Sequence, residues 1–308
     1  MTPPALSIII LSWNVRDLLR ACLVNLPLMQ PEVEIIVVDS ASADGSAEMV
    51  RSEFPQVKLI ASSENLGYSR GNNLGLRAAT GRYLFILNPD TEIVGDALAQ
   101  MLAYLEAHPQ VGVLGPQLIS PDRSVQSTHR RFPTLATAFF ESTWLQLFAP
   151  QRWLDNYYAR DLPDDAVAEV DWVIGAALCV RREAYEQVGG LDEGFFMYSE
   201  ELDWCRRMKA AGWKVVYFPP ARVIHHEGRS SEQVPAATHI RFNRSKVRYF
   251  RKYHGALAAE VLRWFLLGNF AAQLVLEFAK GLVGHKRQLR AERVAAYRQV
   301  LKSGLKGE

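Results

Sequence analysis

The chain has 308 residues and a formal net charge of +2; 49% of its residues are hydrophobic and 22% are charged. These values are ordinary for a globular protein with a core, and the length suits one large domain or one domain with an extension. The N-terminus lacks the basic segment of a signal peptide, so we expect residues 7–11 to form a strand and not a signal peptide. The most apolar stretch, residues 264–279, is interrupted by Asn269, Gln273 and Glu277. We therefore expect no transmembrane span.

Charge is distributed unevenly along the chain. Lys and Arg outnumber Asp and Glu from Arg222 onward, whereas residues 161–169 are acidic. This asymmetry suggests an anionic surface as the partner of the C-terminal part. The three cysteines have no CxxC spacing, which predicts free thiols in a reducing cytoplasm. They are Cys22, Cys179 and Cys205.

In the first half of the chain, short β-branched runs alternate with helical stretches. The predicted strands are residues 7–11, 34–39, 57–60, 83–88 and, between two prolines, 111–114. This alternation predicts an α/β fold with a mostly parallel sheet covered by helices on both faces.

The second half begins with a less regular, aromatic-rich stretch over residues 120–168. The elements predicted after it are a strand and helix over 170–189, a helix over 200–211 capped by Ser199, a strand over 213–218 that ends at a Pro-Pro turn, and helices beyond Thr238.

Asp90 stands at the carboxyl end of the predicted strand 83–88, in the motif Asn88-Pro89-Asp90. Open α/β sheets bind ligands at that edge. A carboxylate there can hold Mg²⁺ or Mn²⁺ against a diphosphate, because these cations take oxygen ligands and share them with substrate phosphates. Taken alone, the motif is better explained as an ordinary Asn-Pro turn.

Further polar residues follow the first two predicted strands. Ser12 and Asn14 end the first, and Asp39 ends the second after a buried run. A carboxylate in that place can accept hydrogen bonds from a pyrimidine base or a ribose. Asp44, which opens the next helix, is better explained as a helix cap.

A glycine-rich segment runs from Asn65 to Gly75 and contains Gly67, Arg70 and Asn73. Glycines let the backbone approach a ligand closely, and helix-start amides or Arg70 could meet a phosphate. A tight loop that requires positive φ is the other explanation, and both can hold.

Three acids, Glu200, Glu201 and Asp203, fall in the first turn of one predicted helix. The helix dipole favours acids there by about 0.3–1 kcal/mol each, which explains them without a function. Their mutual repulsion can also raise the pKa of one carboxyl toward that of a useful general base. His225 and His226 point to opposite sides of an extended chain, so at most one would face a metal.

Taken in order, these motifs resemble the inverting glycosyltransferases of family 2, which have a GT-A fold, and above all their rhamnosyltransferase-like branch. The resemblance extends from about Leu6 to about Tyr253. It is carried by Ser12-Trp13-Asn14, residues 38–42, residues 65–75, residues 87–91 and the block 189–206. It implies a Rossmann-like catalytic domain over residues 1–235, with a nucleotide-binding half to about 119 and an acceptor half from about 120, and a helical extension over 236–308.

The resemblance also implies roles for single residues. Asp90 and His225 would hold the divalent metal, Mg²⁺ or Mn²⁺, and Glu201 would be the catalytic base. Gly175 and Ala176 would line the donor sugar and the acceptor. The implied nucleotide-binding residues are Ser12, Asn14, Asp39, Asn65, Gly67, Arg70, Asn73 and Asn88.

Two departures from the family pattern matter. Asn-Pro-Asp replaces Asp-x-Asp and removes one carboxylate, which predicts weak or donor-dependent metal binding. Glu-Glu stands where Glu-Asp is usual, so Glu200 and Asp203 remain alternatives to Glu201 as the base.

The implied activity is transfer of a sugar, with inversion, from a nucleotide donor to a hydroxyl of a saccharide or lipid-linked saccharide in surface polysaccharide synthesis. The best single guess is L-rhamnose from dTDP-rhamnose. The alternatives are a catalytically inactive nucleotide-sugar-binding or scaffolding module, and a nucleotidyltransferase. The latter would need a glycine-rich loop after the first strand, and residues 12–16 contain no glycine.

The C-terminal residues suggest a second partner. Residues 239–253 combine Arg and Lys with aromatics, residues 257–282 are strongly apolar, and residues 285–306 are basic again. This pattern predicts an interfacial helix on anionic lipid, hence a cytoplasmic protein held peripherally on the inner face of the cell membrane. Packing on the catalytic domain or on a second subunit, as in a homodimer, is the alternative. Nucleic acid is not an expected partner, because the basic residues are confined to the helical tail.

Overall fold

The computed structural model describes residues 4–30, 32–141, 143–226, 235–282 and 286–306. These residues form two compact units. The larger unit contains the described residues up to 132 together with 155–196 and 200–226, and the smaller unit contains the described residues of 133–154, 197–199 and the chain from 235 onward. The division at residue 235 inferred from the sequence stays a prediction.

The described strands are β1 (Leu6–Ser12), β2 (Val33–Ser40), β3 (Lys58–Ser62), β4 (Tyr83–Leu87), β5 (Thr91–Val94), β6 (Val111–Ile119), β7 (His129–Arg130), β8 (Ala168–Glu169), β9 (Trp172–Val173), β10 (Ala177–Arg181) and β11 (Lys214–His225). The described helices are α1 (Arg16–Val24), α2 (Ser46–Glu53), α3 (Gly67–Ala78), α4 (Ala97–Ala107), α5 (Leu135–Phe140), α6 (Gln151–Tyr157), α7 (Arg182–Val188), α8 (Glu200–Ala210), α9 (Pro235–Leu282) and α10 (Arg287–Ser303), with a 3₁₀ helix at Trp144–Phe148.

The central sheet has the strand order β3-β2-β1-β4-β10-β6-β11-β5, and β8 pairs with β11. Strands β1 to β4 are parallel to one another, and β11 is parallel to β6. Strand β10 runs antiparallel between β4 and β6. Strands β7 and β9 form a separate two-stranded sheet. The predicted α/β fold with a mostly parallel sheet is confirmed.

Helices cover both faces of this sheet, and strand β1 shows why. Ile8 and Ile10 belong to a buried core shared with α1, α2 and α4. Ile9 and Leu11 point to the opposite face, because side chains alternate along a strand. There they lie against Gly75 and Gly71 of α3, where a Cβ would overlap them. The three cysteines are free and buried.

The strand predicted over 213–218 is present from Lys214, but its predicted end at a Pro-Pro turn was wrong. Strand β11 continues to His225 and passes through Pro219 and Pro220. Its pairing with β6 shifts register between Phe218 and Arg222. Proline cannot donate a ladder hydrogen bond, so a bulge is where a strand tolerates it. The continuation delivers His225 to the edge of the sheet.

In the smaller unit, α9 changes direction at Gly255, which has a φ of 87°. Helix α10 packs along the second part of α9, with Arg263 Nη1 donating to Gly304 O at 2.8 Å. Helix α5 packs on α9 through Phe139 and Phe265, whose ring centroids are 4.9 Å apart. By length and composition alone, Ala236–Leu282 could cross a membrane.

Candidate active site

The carboxyl ends of strands β1, β2 and β4 meet at one edge of the sheet. The antiparallel strand β10 begins at the same edge, because Ala177 pairs with Leu87, the last residue of β4. Asn88 N donates to Ala176 O at 2.9 Å. The predicted loop of Gly175 and Ala176 therefore lies beside the Asn88–Asp90 motif.

Asp90 and His225 come together where strands β5 and β11 pair. Thr91 lies opposite His225 in the register of these two strands. His225 Nε2 is 3.6 Å from Asp90 Oδ1, and both residues are almost buried, with 8% and 6% of their surfaces exposed. The two predicted metal ligands are thus neighbours.

Gln126 fixes the orientation of the His225 ring. Its Oε1 lies 3.0 Å from His225 Nδ1, and its Nε2 donates to His225 O at 2.9 Å. With the Nδ1 proton donated to Gln126, the lone pair of Nε2 is directed toward Asp90. Metal-binding histidines are commonly held in this way by a partner on the other ring nitrogen. No sequence pattern singles out Gln126, which lies in an irregular segment.

These residues fit a divalent cation that is shared with a substrate. Asp90 and His225 would supply two ligands, and Mg²⁺ or Mn²⁺ would take the rest from diphosphate oxygens and water. Within the described part of the chain, no group of three or more His, Cys, Asp and Glu residues could hold a metal by itself. His226 points to the other side of the strand, where its Nε2 is 2.7 Å from Glu92 Oε1.

Ser12 and Asp39 form a polar pair at the ends of β1 and β2. They are register partners and are 0% and 2% exposed. Asp39 Oδ2 accepts a bond from Ser42 N at 3.1 Å, whereas Asp39 Oδ1 and Ser12 Oγ have no hydrogen-bond partner among the described residues. Buried polar atoms are rarely left without one. An acceptor beside a hydroxyl suits the N–H and carbonyl groups of a pyrimidine.

The loops after β1 and β2 are bonded to each other. Asn14 N donates to Ser42 Oγ at 2.9 Å, and Asn14 Oδ1 accepts from Ala43 N at 2.7 Å. Asp44 accepts from Arg16 N at 2.8 Å and from Ser46 N at 3.0 Å. Asn14 and Asp44 thereby hold the shape of the pocket around Asp39.

The polar groups at the start of α3 are engaged within the protein. Asn65 Oδ1 accepts from Gly67 N at 3.0 Å, and Tyr68 N donates to Phe196 O at 2.6 Å. Gly67 has a φ of 69°, and a Cβ there would lie 2.5 Å from Phe196 O. Arg70 is half exposed and pairs with Glu64 at 3.0 Å. The first two amides of the helix are therefore occupied, and Gly67 is required by its conformation and by close packing.

Asn73 binds a different segment from the one expected. Its Nδ2 donates to Leu191 O at 2.8 Å and to Glu193 Oε1 at 3.0 Å, and its Oδ1 accepts from Leu191 N at 2.9 Å. These bonds use its amide to attach the 189–193 turn to α3, and Asn73 is left out of the nucleotide site proposed below.

The three acids at the start of α8 differ in their partners. Asp203 is fully buried and accepts from Arg207 Nε at 2.8 Å, and Arg207 also binds the carbonyls of Val188 and Gly190. Asp203 thus stabilises the preceding turn. Glu200 and Glu201 each keep one buried carboxylate oxygen without a hydrogen-bond partner in the described chain.

Burial raises the pKa of both Glu200 and Glu201, and the charge of Glu201 raises the pKa of Glu200 further. Backbone amides, including that of Gly175, oppose the shift at Glu201. Carboxyls whose pKa has been raised by burial and a like charge are typical of general acids and bases.

Tyr68 links the metal-binding and α8 carboxylates. Its Oη donates to Gly175 O at 2.5 Å. Burial raises the pKa of Tyr68 well above its usual value, and the charges of Glu200, Glu201 and Asp90 raise it further. One phenol therefore senses all three carboxylates, which lie in one site. The sequence interpretation missed Tyr68, because the glycines around it gave the stronger signal.

The fold and this edge of the sheet define a GT-A glycosyltransferase. The family model for glycosyl transferase family 2 matches residues 7–189, and the chain belongs to that family.

Curated relatives and solved structures agree with this assignment. The chain is 30% identical over 267 residues to the N-acetylglucosaminyl-diphospho-decaprenol L-rhamnosyltransferase of Mycobacterium tuberculosis, covering 83% of this chain and 87% of the relative. It is 28% identical to the rhamnosyltransferase WbbL of Escherichia coli, covering 72% of this chain and 85% of the relative. The mannosyltransferase PcManGT of Pyrobaculum calidifontis, solved with GDP-Man and Mn²⁺, shares the fold with a TM-score of 0.59 and 19% identity, covering 99% of this chain and 88% of that one.

Proposed function

We propose that the protein is an inverting rhamnosyltransferase that moves L-rhamnose from dTDP-rhamnose to a hydroxyl of a lipid-linked saccharide during surface polysaccharide synthesis. The observation that carries the proposal is the position of the Gly175–Ala176 loop: Ala176 O accepts from Asn88 N at 2.9 Å beside Asp90, and Gly175 lies against Glu201, so the diphosphate side and the candidate base share one site. The mycobacterial relative, whose name specifies rhamnose and a diphospho-decaprenol acceptor, supports this donor sugar and acceptor class.

In this proposal Glu201 is the base. It is less buried than Glu200, and it lies against Gly175, where a Cβ would be 3.4 Å from the Cβ of Glu201. Glu201 takes the proton of the acceptor hydroxyl as that oxygen attacks the anomeric carbon from the face opposite the diphosphate. The bond to the diphosphate oxygen breaks, the dTDP anion leaves, and the configuration inverts. Burial raises the pKa of this base, and its charge in turn raises the pKa of Glu200.

The other residues hold the donor. Ser12 and Asp39 would bind the pyrimidine through their unpartnered oxygens. Asp90 and His225 would hold Mg²⁺ or Mn²⁺, which neutralises charge on the departing diphosphate when bound. Gly175 and Ala176 would line the donor sugar, with Gly175 O fixed by Tyr68.

A lipid-linked acceptor also implies where in the cell the protein acts. We expect the protein on the cytoplasmic face of the cell membrane, held there peripherally. The basic and apolar C-terminal helices support that location.

The proposal is tested by a transfer assay with dTDP-, UDP- and GDP-sugars, a short-chain prenyl diphosphate N-acetylglucosamine as acceptor, and either Mn²⁺ or EDTA. We expect a rhamnosylated product from dTDP-rhamnose, lost with EDTA. If only another nucleotide sugar supported transfer, that sugar would be the donor and dTDP-rhamnose would not. If transfer were unchanged in EDTA, the reaction would not require a divalent metal.

A further inference from the structure

The outward face of α9 beyond Gly255 is largely apolar. Residues 256–279 are all described, and the one charged side chain among them that stays partly exposed, Glu260 at 39%, pairs with Arg251 and Arg263. Six of the seven large exposed hydrophobic side chains described here recur every three or four residues or at a sum of such steps, so they lie on one face of the helix. They are Leu257, Val261, Trp264, Val275, Phe278 and Leu282, each between 52% and 80% exposed; Leu276, at 52%, lies off this face. We call these six residues the apolar stripe.

Three polar residues of the same segment point inward. Arg263, Asn269 and Glu277 are 7%, 6% and 7% exposed. Arg263 donates to Gly304 O, and Glu277 pairs with Arg290, so two of the three are bonded to the C-terminal helix region.

Like an ordinary surface helix, the segment buries an apolar side, with Leu262, Leu266 and Phe270 at 6% exposure or less, but it exposes a second apolar side as well. The exposed apolar face is about 36 Å long, since it covers 24 residues with a rise of 1.5 Å each. An exposed apolar surface of this length is typical of an interaction site.

Exposed cations stand at both ends of the apolar stripe. They are Arg251 and Lys252 before Gly255, and Lys280, Lys286 and Arg287 at the other end. The nearest acid, Glu260, is engaged by Arg251 and Arg263. The surface is therefore an apolar centre between positively charged ends.

We propose that the apolar stripe docks on an anionic lipid bilayer, with the helix lying in the boundary between headgroups and acyl chains. Apolar side chains enter that boundary, and the cations at each end meet anionic headgroups. The inference deepens the proposed peripheral location and rests on it, since a lipid-linked acceptor is found at such a surface.

Charge argues against a second copy of the chain as the occupant. In a two-fold dimer along the stripe, a parallel arrangement sets each cationic end against itself, and an antiparallel one sets Arg251 and Lys252 against Lys280 and Lys286. Either way, like charges meet. A spanning arrangement is also disfavoured, because α10 packs alongside and exposes Glu292, Arg293 and Arg298, which hydrocarbon would have to accommodate.

The test is co-sedimentation of the full chain with acceptor-free vesicles, either of phosphatidylcholine alone or with about one-third phosphatidylglycerol added. We expect binding to the anionic vesicles that weakens in high salt. The double substitution Val261→Glu and Val275→Glu should lower the partition coefficient roughly tenfold or more. The matched control, Gln288→Glu with Gln299→Glu, adds the same charge to exposed positions of α10 and should retain most of the binding.

Removing the cations at one end isolates the electrostatic part. Lys280→Gln with Lys286→Gln should lower binding to anionic vesicles roughly fivefold for each charge removed and leave neutral vesicles unaffected. No binding of the native chain to anionic vesicles, or native-like binding of the Val261/Val275 variant, would overturn the proposal. So would a native dimer that the same variant dissociates, seen by sedimentation equilibrium.

Transfer to a water-soluble acceptor separates this inference from the proposed function. The Val261/Val275 variant should keep native transfer and an unchanged melting temperature. If the native chain binds vesicles but transfers no sugar, the proposed transfer activity is wrong, whereas the proposed membrane-docking role of the apolar stripe is retained.

Discussion

His225 Nε2 lies 3.6 Å from Asp90 Oδ1, although 135 positions separate the two residues in the chain. The contact exists because β11 continues through two prolines and pairs with β5, next to the turn that carries Asp90. The sheet thus joins a carboxylate and an imidazole that the sequence places far apart.

Gln126 is expected to control the metal affinity of the pair. Gln126→Leu removes the acceptor of the His225 Nδ1 proton, which frees the ring to rotate and to change tautomer. We expect Mn²⁺ affinity in the presence of dTDP to fall by about 10- to 100-fold, as for other outer partners of metal ligands. Calorimetric titration measures it. His226→Ala is the matched control, because His226 contacts Glu92 and not the Asp90 carboxylate; an equal loss there would contradict the assignment.

Glu201→Gln is expected to abolish most of the turnover and to spare donor binding. Loss of a general base costs about 10²- to 10⁴-fold in kcat. Ser12 and Asp39, the proposed nucleotide-binding residues, lie on β1 and β2 and not on α8, so the variant should bind dTDP as the native chain does. Steady-state kinetics and calorimetry measure the two effects. Near-native turnover of Glu201→Gln would assign the base to another residue, and Glu200→Gln is the first comparison.

Glu200→Gln is expected to leave the acid side of the pH profile unchanged. Burial raises the pKa of both carboxyls, and the charge of Glu201 raises that of Glu200 further, so Glu201 ionises first while Glu200 is still protonated. An uncharged Gln in place of a protonated Glu200 should therefore leave the acid side of the kcat/KM profile where it is. A profile that moves to lower pH would show that Glu200 is already ionised when Glu201 titrates.

The same pair should also make stability depend on pH. Burial raises the pKa of Glu200 in the folded protein above its unfolded value. A carboxyl with a raised folded pKa adds stability below the unfolded pKa, and this contribution is lost as pH rises through the folded pKa. The free energy of unfolding of the native chain should therefore fall relative to Glu200→Gln, by about 1.4 kcal/mol for each pH unit in that window. Urea unfolding at several pH values measures it; a constant difference would contradict the assignment.

Two glycines in helices should respond oppositely to alanine. At Gly75 an added Cβ would overlap Ile9 Cγ2, which a β-branched side chain in a central strand cannot move aside. We expect Gly75→Ala to cost about 1–3 kcal/mol of unfolding free energy. Gly268 has no atom within 4 Å of a built Cβ, so Gly268→Ala should stabilise by about 0.5–1 kcal/mol. Thermal or urea unfolding tests both; two changes of the same sign would contradict this packing.

The sequence predicts the fold and the edge where the site lies, because both depend on local patterns. Buried strands ending in Asp39 and Asp90 are visible as apolar runs followed by an acid. The α/β class follows from their alternation with helices.

Other features depend on contacts between distant segments. The bond of Gln126 to His225, that of Tyr68 to Gly175 and that of Asn73 to Leu191 each join residues about 100 positions apart. No local pattern encodes them. Asp203 is a different case, because its pairing with Arg207 is an i, i+4 contact within one helix; what depends on the fold is the bond of Arg207 to Gly190 O.

The most direct test of the account is the anomeric configuration of the product made from dTDP-L-rhamnose. NMR coupling constants at the anomeric carbon of the new glycosidic bond give that configuration. Single displacement with Glu201 as base predicts a configuration opposite to that of the donor, with product formation lost in Glu201→Gln. A product that retains the donor configuration would contradict the single displacement and require a covalent or internal-return mechanism.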